Sequence, residues 1–395
     1  MQSYTVIGGG LAGLTAANAL AQSGQKVTLL EQSQHLGGRA ITRQEAGFQL
    51  NLGPHALYCG GPATRTFNEW KIRFEGHPPA QSRGHLVYEG EKYPLITNTA
   101  TLLKSPLFGF AEKLEAGNLL RLFSKGYAPR QTMREWICDH AKSPKVRALA
   151  SAITRLTTFS ADLDHLSAAA ALPQIAMAVA TNVAYLDHGW QTLIDGLAAR
   201  ARSLGVEIRC GTPVNALPEC DGVILAVPPA AVETLTGARF PNLRPIRVAC
   251  LDLGLSSLPE NAANFGLGVD QPLYFSVHSA SAKLAPEGSA LIQLAKYLTA
   301  DSAPADRAEL EQFGDVLAPG WRDRVTITRF LPNMTVSYAM VTPEGRPAVD
   351  ALAPHGVFLC GDWVGQENML TDAAVSSALR AVAMVQKGKS ARNAA

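Results

Sequence analysis

Charge of one sign is what this chain most plainly lacks. Lys and Arg number 35 against 33 Asp and Glu, a net charge of +2 over 395 residues. That balance gives no electrostatic footprint for nucleic acid. Cysteine is sparse: Cys59, Cys138, Cys210, Cys220, Cys250 and Cys360 form no C-x-x-C pair and show no metal-like spacing. No metal site is expected, and the setting fits buried thiols in a reducing, cytoplasmic compartment. The first residues lack the basic segment and apolar run of a secretory signal, because a strand-like run leads straight into a glycine turn. One uncharged stretch, 166–186, is long enough to cross a bilayer. It is mostly alanine and holds Pro173, Gln174 and Asn182, which favours one or two packed helices over a membrane span. A soluble protein is expected, with peripheral membrane contact left open. Internal repeats and low-complexity tracts are missing as well.

What is present is enough for a large interior. The composition is 47% hydrophobic and 17% charged, which excludes wholesale disorder, and the length points to two domains. The opening "YTVIGGGLAGLTAANALAQ" reads as a strand, a turn carrying Gly8, Gly10 and Gly13, and an alanine- and leucine-rich helix. In G-x-G-x-x-G the glycines make the tight turn, let backbone approach a pyrophosphate and allow close helix-on-strand packing. The helix start at Leu11 and Ala12 offers unpaired N–H groups to that diphosphate. A second strand follows and ends at Glu31 and Gln32, the distance at which a carboxylate takes ribose hydroxyls. Gly37, Gly38 and Arg39 then supply a second glycine pair with a guanidinium beside it. A simple dehydrogenase has no need of this second phosphate clamp, so the dinucleotide expected is FAD.

With these residues in place the chain resembles the glutathione-reductase-type FAD proteins, in the branch holding phytoene desaturases, amine oxidases and protoporphyrinogen oxidase. The signature of that branch after the acid is R-x-G-G-R; here His35-Leu36-Gly37-Gly38-Arg39 departs at the first position. Two distant segments carry the same resemblance. "GVFLCGDWVGQENMLTDAAVSSALRAVAMVQ" (356–386) implies that Asp362, after Gly361, binds the ribityl chain. The helix from Thr371 then aims its N-terminus at the flavin pyrimidine edge, with Met369 and Leu370 against the ring. A helix N-terminus there stabilises the negative charge of reduced flavin. "GWQTLIDGLAARARSLGVEIRCGTPV" (189–214) implies adenine contact by the Val214 backbone. Its residues predict a helix opened by a Thr192–Asp195 capping box and a strand over 206–210. "NLGPHAL" (51–57) corresponds to the loop beside the isoalloxazine, which brings in Gly53, Pro54 and His55. His55 is open to two readings, acid/base group or structural flavin contact. Tyr338 falls where related enzymes bring an aromatic side chain toward the flavin, with ordinary packing as the other reading.

The expected fold class is therefore α/β: a discontinuous, glutathione-reductase-type Rossmann-like FAD-binding domain (1–75, 186–236 and 345–395) with an inserted α+β substrate domain (76–185 and 237–344). Helices are predicted over 102–123, 133–142 and 145–172. Apolar stretches in the insertions fit a tunnel over the flavin or simply core. The 102–123 region, with Lys104, Lys113 and Arg121, could also form a lid or a membrane-surface contact. Flavin amine oxidases commonly carry a lysine in the first strand after the Pro228–Pro229 segment; here that strand, "PIRVACLDLGL", has Arg247 and no lysine. The expected function is an FAD-dependent desaturase or dehydrogenase moving hydride from a carbon of a hydrophobic small molecule to flavin N5. A flavin amine or amino-acid oxidase is the alternative, and a binding module like the GDP-dissociation inhibitors, without redox activity, is the alternative of another class.

Overall fold

The computed structural model describes residues 2–126 and 130–392. Two sheets organise it. The first has five parallel strands in the order Glu207–Arg209, Lys26–Leu30, Ser3–Ile7, Gly222–Leu225, Val357–Leu359. Gly222–Leu225 and Val357–Leu359 are buried throughout, as expected of strands covered on both faces. Ser3–Ile7 lies in the middle. The chain crosses from it to one side through the helix Leu11–Gln22 and later returns to fill the other side. That reversal leaves a crevice at the carboxyl ends of the strands, where doubly wound sheets bind ligands. The C-terminal helix Leu370–Arg392 packs on Leu11–Gln22. One core runs through this unit, from Tyr4 and Leu14 through Leu193 and Ile224 to Val375 and Val382.

The second sheet has seven strands in the order Val325–Ser337, Ile246–Leu255, Ala290–Leu298, Leu273–Val277, Phe265–Gly268, Gly84–Tyr88, Glu91–Pro94. One face is closed by the helix Arg307–Leu317, through Leu310, Phe313 and Leu317 on Leu251, Leu253 and Ile292. The other meets the hairpin strand Phe48–Asn51 and the short strand Val183–Leu186, with Tyr185, Phe48 and Leu291 in one cluster. Five helices between 99 and 181 form the remaining core with Val248, Cys250 and Tyr297 of this sheet.

Several sequence expectations need correction. The helix expected over 102–123 is two, Thr99–Lys104 and Phe110–Phe123; Pro106 cannot donate its backbone N–H, and Ser105 before it is extended. The helix expected over 145–172 is also two, Pro144–Thr158 and Ala168–Thr181, separated after Phe159 turns left-handed. No Thr192–Asp195 capping box forms. The helix Gln191–Ser203 starts after Trp190, Thr192 Oγ1 donates to the Asp187 carbonyl, and Asp195 accepts from Gln191. Of the six cysteines only Cys250 and Cys360 are buried; Cys59 and Cys138 are exposed. The 166–186 stretch resolves into the helix Ala168–Thr181 and the strand Val183–Leu186. Among the described residues no helix is long and apolar enough to cross a membrane.

Candidate cofactor site

The glycine turn separates packing needs from ligand space. A Cβ on Gly13 would stand 1.8 Å from the Gly8 carbonyl oxygen, and one on Gly8, at φ +108°, 2.4 Å from the Ala226 oxygen. These two glycines are required by the fold itself. Gly10 is different: its φ is −83°, and the nearest atom to a Cβ there would be the Gly37 oxygen at 3.8 Å. Gly38 likewise faces the Gly10 Cα at 3.7 Å. Gly9 and Gly37 bridge the two loops through a 2.9 Å backbone bond. The two glycine loops are thus joined side by side, and at Gly10 and Gly38 the protein's own packing leaves room for a Cβ that the sequence does not use. Leu11 and Ala12 open the helix beside them, with no side chain capping their N–H groups.

Glu31 borders these loops. One carboxylate oxygen accepts from Gly9 N (2.6 Å) and the other from Ser33 N (2.8 Å), so the group is aimed by backbone while its remaining lone pairs stay free for hydroxyl donors. Gln32 is exposed next to it. Glu31 N donates to Arg209 O and Thr212 N to Glu31 O, both at 2.9 Å. The segment leading to half-buried Val214 therefore runs beside the acid.

At the other end, Asp362 meets Arg39 although 323 positions separate them. The guanidinium makes two bonds to the carboxylate, at 2.7 and 2.9 Å, and lies 4.5 Å over the Tyr338 ring. Partial burial opposes the charge, and the Asp362 carboxylate outweighs that, holding Arg39 above its ordinary pKa. Gly361, at φ +143°, turns the chain out of the Val357–Leu359 strand. Met369 is buried in the helical core and Leu370 lies partly buried against it, at the start of the C-terminal helix.

His55 sits between these parts. Its Nδ1 donates to the Gly53 carbonyl (3.0 Å) and its ring stands edge-on to Trp190 at 4.8 Å. Burial lowers its pKa; backbone acceptors at Gly53 and Arg39 oppose this, and the charges of Arg39 and Arg329 add to the lowering. Pro54 and Gly53 are buried, and a Cβ on Gly53 would press on Cys250 Sγ and Met334 Cε, both at 2.8 Å. That contact fixes which face of the strand Ile246–Leu255 looks toward the loop: Val248, Cys250 and Asp252, by alternation. Arg247 points the other way and donates to the Thr299 and Ser302 carbonyls.

Three further residues escaped the sequence reading. Arg346, nearly fully buried, donates to the carbonyls of Asp362, Gly365, Glu367 and Asn368 and so shapes the loop before the C-terminal helix. Asp372, in the first turn of that helix, accepts from Ala63 N (2.9 Å) at the start of Pro62–Glu69. Asp252 pairs with Arg329 (2.8 Å to Nε) and accepts from Gln293 (2.9 Å). A lone acid within an otherwise apolar strand was the available signal for that pair. Arg346, inside a Pro- and Gly-rich loop, gave none.

Comparison with known proteins agrees with this architecture. Residues 6–70 match the NAD(P)-binding Rossmann-like domain family. The 4,4'-diaponeurosporene oxygenase of Staphylococcus aureus (strain USA300) is 50% identical over 52 residues, 13% of this chain and 10% of that protein. The match thus spans about a tenth of the curated relative's length. Across nearly the full length, the chain superposes on an oxidoreductase from Methanosarcina mazei, with TM-score 0.76 and 18% identity over 96% of this chain and 99% of that one. A putative protoporphyrinogen oxidase from Exiguobacterium sp. 255-15 superposes with TM-score 0.74 and 16% identity, over 98% and 99%. The Rossmann-like α/β architecture read from the sequence is the one observed.

Proposed function

We propose that this chain, whose fold is that of the superfamily holding the amine oxidases and protoporphyrinogen oxidase, is an FAD-dependent oxidoreductase taking hydride from a carbon of an apolar small molecule. One observation carries the cofactor assignment: two adjoining glycine loops keep Gly10 and Gly38 where packing would admit a Cβ, between a backbone-aimed Glu31 and the Arg39–Asp362 pair. Residues 1–75, 186–236 and 345–395 would hold the dinucleotide, and 76–185 with 237–344 the substrate. Gly10, Leu11, Ala12, Gly38 and Arg39 would take the pyrophosphate by backbone N–H groups and one guanidinium, while Gly8, whose N–H donates to the Leu30 carbonyl, and Gly13 shape the turn that presents them. Glu31 would take the adenosine ribose, with Gln32 and Val214 beside it. Asp362, after Gly361, would take the ribityl hydroxyls, and Gly53, Pro54, His55, Met369 and Leu370 would pack around the ring.

Bound flavin supplies the two-electron acceptor. The chain's own part is to orient and enclose. A neutral His55, held by the Gly53 carbonyl and Trp190, is suited to a hydrogen bond or a proton transfer in that setting. Tyr338, under Arg39, is better suited to holding that side chain than to chemistry. The strand face toward His55 carries Val248, Cys250 and Asp252, with Asp252 tied to Arg329 and Gln293, which supports carbon–carbon dehydrogenation over amine oxidation.

The test is the visible spectrum of the purified protein, followed by anaerobic bleaching with a panel of amines, isoprenoids and polycyclic compounds. Yellow protein bleached by an isoprenoid or polycyclic substrate supports the reading. Bleaching by amines, with hydrogen peroxide released in air, replaces it with an amine oxidase. Protein that neither carries nor takes up flavin replaces it with a binding module.

A further inference from the structure

The helices Thr99–Lys104 and Phe110–Phe123 pack on each other and have no part in the cofactor site. Six large apolar side chains are exposed among the described residues, and three of them are here: Leu103 at 55%, Phe110 at 78% and Leu114 at 60%. Phe110 and Leu114 stand one helical turn apart and share a face. The inward side of the same helices is already filled, with Leu102, Ala116, Leu119 and Phe123 buried in the helical core. The outward residues are therefore surplus to folding. Single exposed leucines are ordinary; three large side chains on neighbouring helices are not.

Charge on this element is sorted as well. Glu112 accepts from the Gly109 N–H (2.9 Å) and from Ser143 Oγ (2.7 Å). Glu115 accepts from the Ser143 amide (2.9 Å) and from that of Lys142. Both acids are turned toward the start of the helix Pro144–Thr158 and engaged there. The bases are not: among the described residues Lys104 and Lys113 have no ion-pair partner, and Arg121 donates only to Asn118. The element therefore offers apolar side chains and unopposed lysines, with its carboxylates directed inward.

We propose that this helix pair docks on the surface of an anionic lipid bilayer, with Leu103, Phe110 and Leu114 entering the acyl boundary and Lys104 and Lys113 pairing with lipid phosphates. Charge complementarity selects this occupant. Aromatic and aliphatic groups gain from leaving water at the interface, while ammonium groups gain from the negative surface potential. The docking is peripheral, since no helix among the described residues can cross the membrane. The inference does not depend on which cofactor the protein carries.

Flotation of the full chain with phosphatidylglycerol-containing vesicles and with pure phosphatidylcholine vesicles tests it. Binding is expected on the anionic vesicles and to weaken with salt. Lys104→Gln with Lys113→Gln is expected to weaken it about thirtyfold. Phe110→Ser with Leu114→Ser is expected to weaken it at least about tenfold. These side chains are on the surface, so melting temperature and any bound-flavin absorbance stay as in the parent. Absence of vesicle binding, equal binding to neutral vesicles, or indifference to both pairs of substitutions overturns the proposal. So does self-association, without vesicle binding, that Phe110→Ser with Leu114→Ser abolishes; that result gives the face to a second copy of the chain.

Discussion

Arg346 directs its guanidinium at four backbone carbonyls and at no carboxylate. Burial pushes its pKa down to about 10, with the Asp362 charge opposing. Arg346→Met leaves those carbonyls without donors in a dry loop, which costs on the order of 3 kcal/mol. Urea unfolding should show that loss, and FAD titration a weaker complex, because the carbonyls belong to the loop between Asp362 and the C-terminal helix. Arg346→Lys should recover only part, since one ammonium cannot reach a fan of acceptors as a planar guanidinium does. Asp372 anchors the helix that follows this loop to the helix Pro62–Glu69. Burial raises its pKa to about 6, against the Ala63 N–H and the Arg65 charge, which lower it. An acid whose folded pKa lies above its unfolded value contributes stability that is complete below about pH 4 and lost as pH rises through 6. The size is on the order of 3 kcal/mol. Asp372→Asn should flatten that segment of the stability profile, and melts at pH 4.5, 6 and 8 measure it. Neither residue was legible in the sequence, because nothing local marks a side chain whose partners lie on another element or along a folded loop.

Among the elements, the strand–turn–helix at the N-terminus was legible, with Gly8 and Gly13 where turn and helix packing require them, since its logic is contained within some thirty residues of sequence. The helices of the first insertion were less so. Apolar periodicity runs across 102–123 and 145–172, yet Pro106 and the left-handed Phe159 break both, and periodicity alone does not register a break that leaves the apolar face in phase. The Thr192–Asp195 pair failed as a cap because Trp190 already occupies that position and Asp187 takes the Thr192 hydroxyl. The glycine turn yields the sharpest prediction at this scale. Gly13→Ala places a Cβ 1.8 Å from the Gly8 oxygen and should cost several kcal/mol, on the order of 3 or more, through forced backbone movement. Gly10→Ala meets nothing closer than 3.8 Å and should leave unfolding free energy within about 0.5 kcal/mol. Its effect should fall on FAD affinity, at least about tenfold, because the added methyl holds the pyrophosphate off the Gly10 backbone. A Gly10→Ala protein with both stability and flavin content unchanged would remove the dinucleotide from that turn.

At the scale of the whole molecule, the chain's two ends meet through a shared strand neighbour, the packing of Leu11–Gln22 on Leu370–Arg392 and an ion pair. Gly222–Leu225 stands between Ser3–Ile7 and Val357–Leu359, and Arg39 reaches Asp362 across the crevice. The resemblance carried by residues 356–386 anticipated that these segments come together, and not the ion pair. The pairing of Asp252, Gln293 and Arg329 in one rung of the seven-stranded sheet was not anticipated, because register across strands tens of residues apart leaves no mark on any of them singly. If Arg39 and Asp362 both serve a bound dinucleotide, their mutual attraction should depend on it. The Arg39 side chain is 36% exposed and that of Asp362 7%, so water screens the pair and its coupling without cofactor should be about 1 kcal/mol. A double-mutant cycle with Arg39→Met and Asp362→Asn, read by urea unfolding, measures that number. Repeated with saturating FAD, the coupling should shrink toward zero as the guanidinium turns to the pyrophosphate and the carboxylate to the ribityl hydroxyls, while each single substitution weakens FAD binding. Equal coupling with and without FAD would make the pair a structural tie between the chain's ends, and the phosphate role of Arg39 would have to be given up.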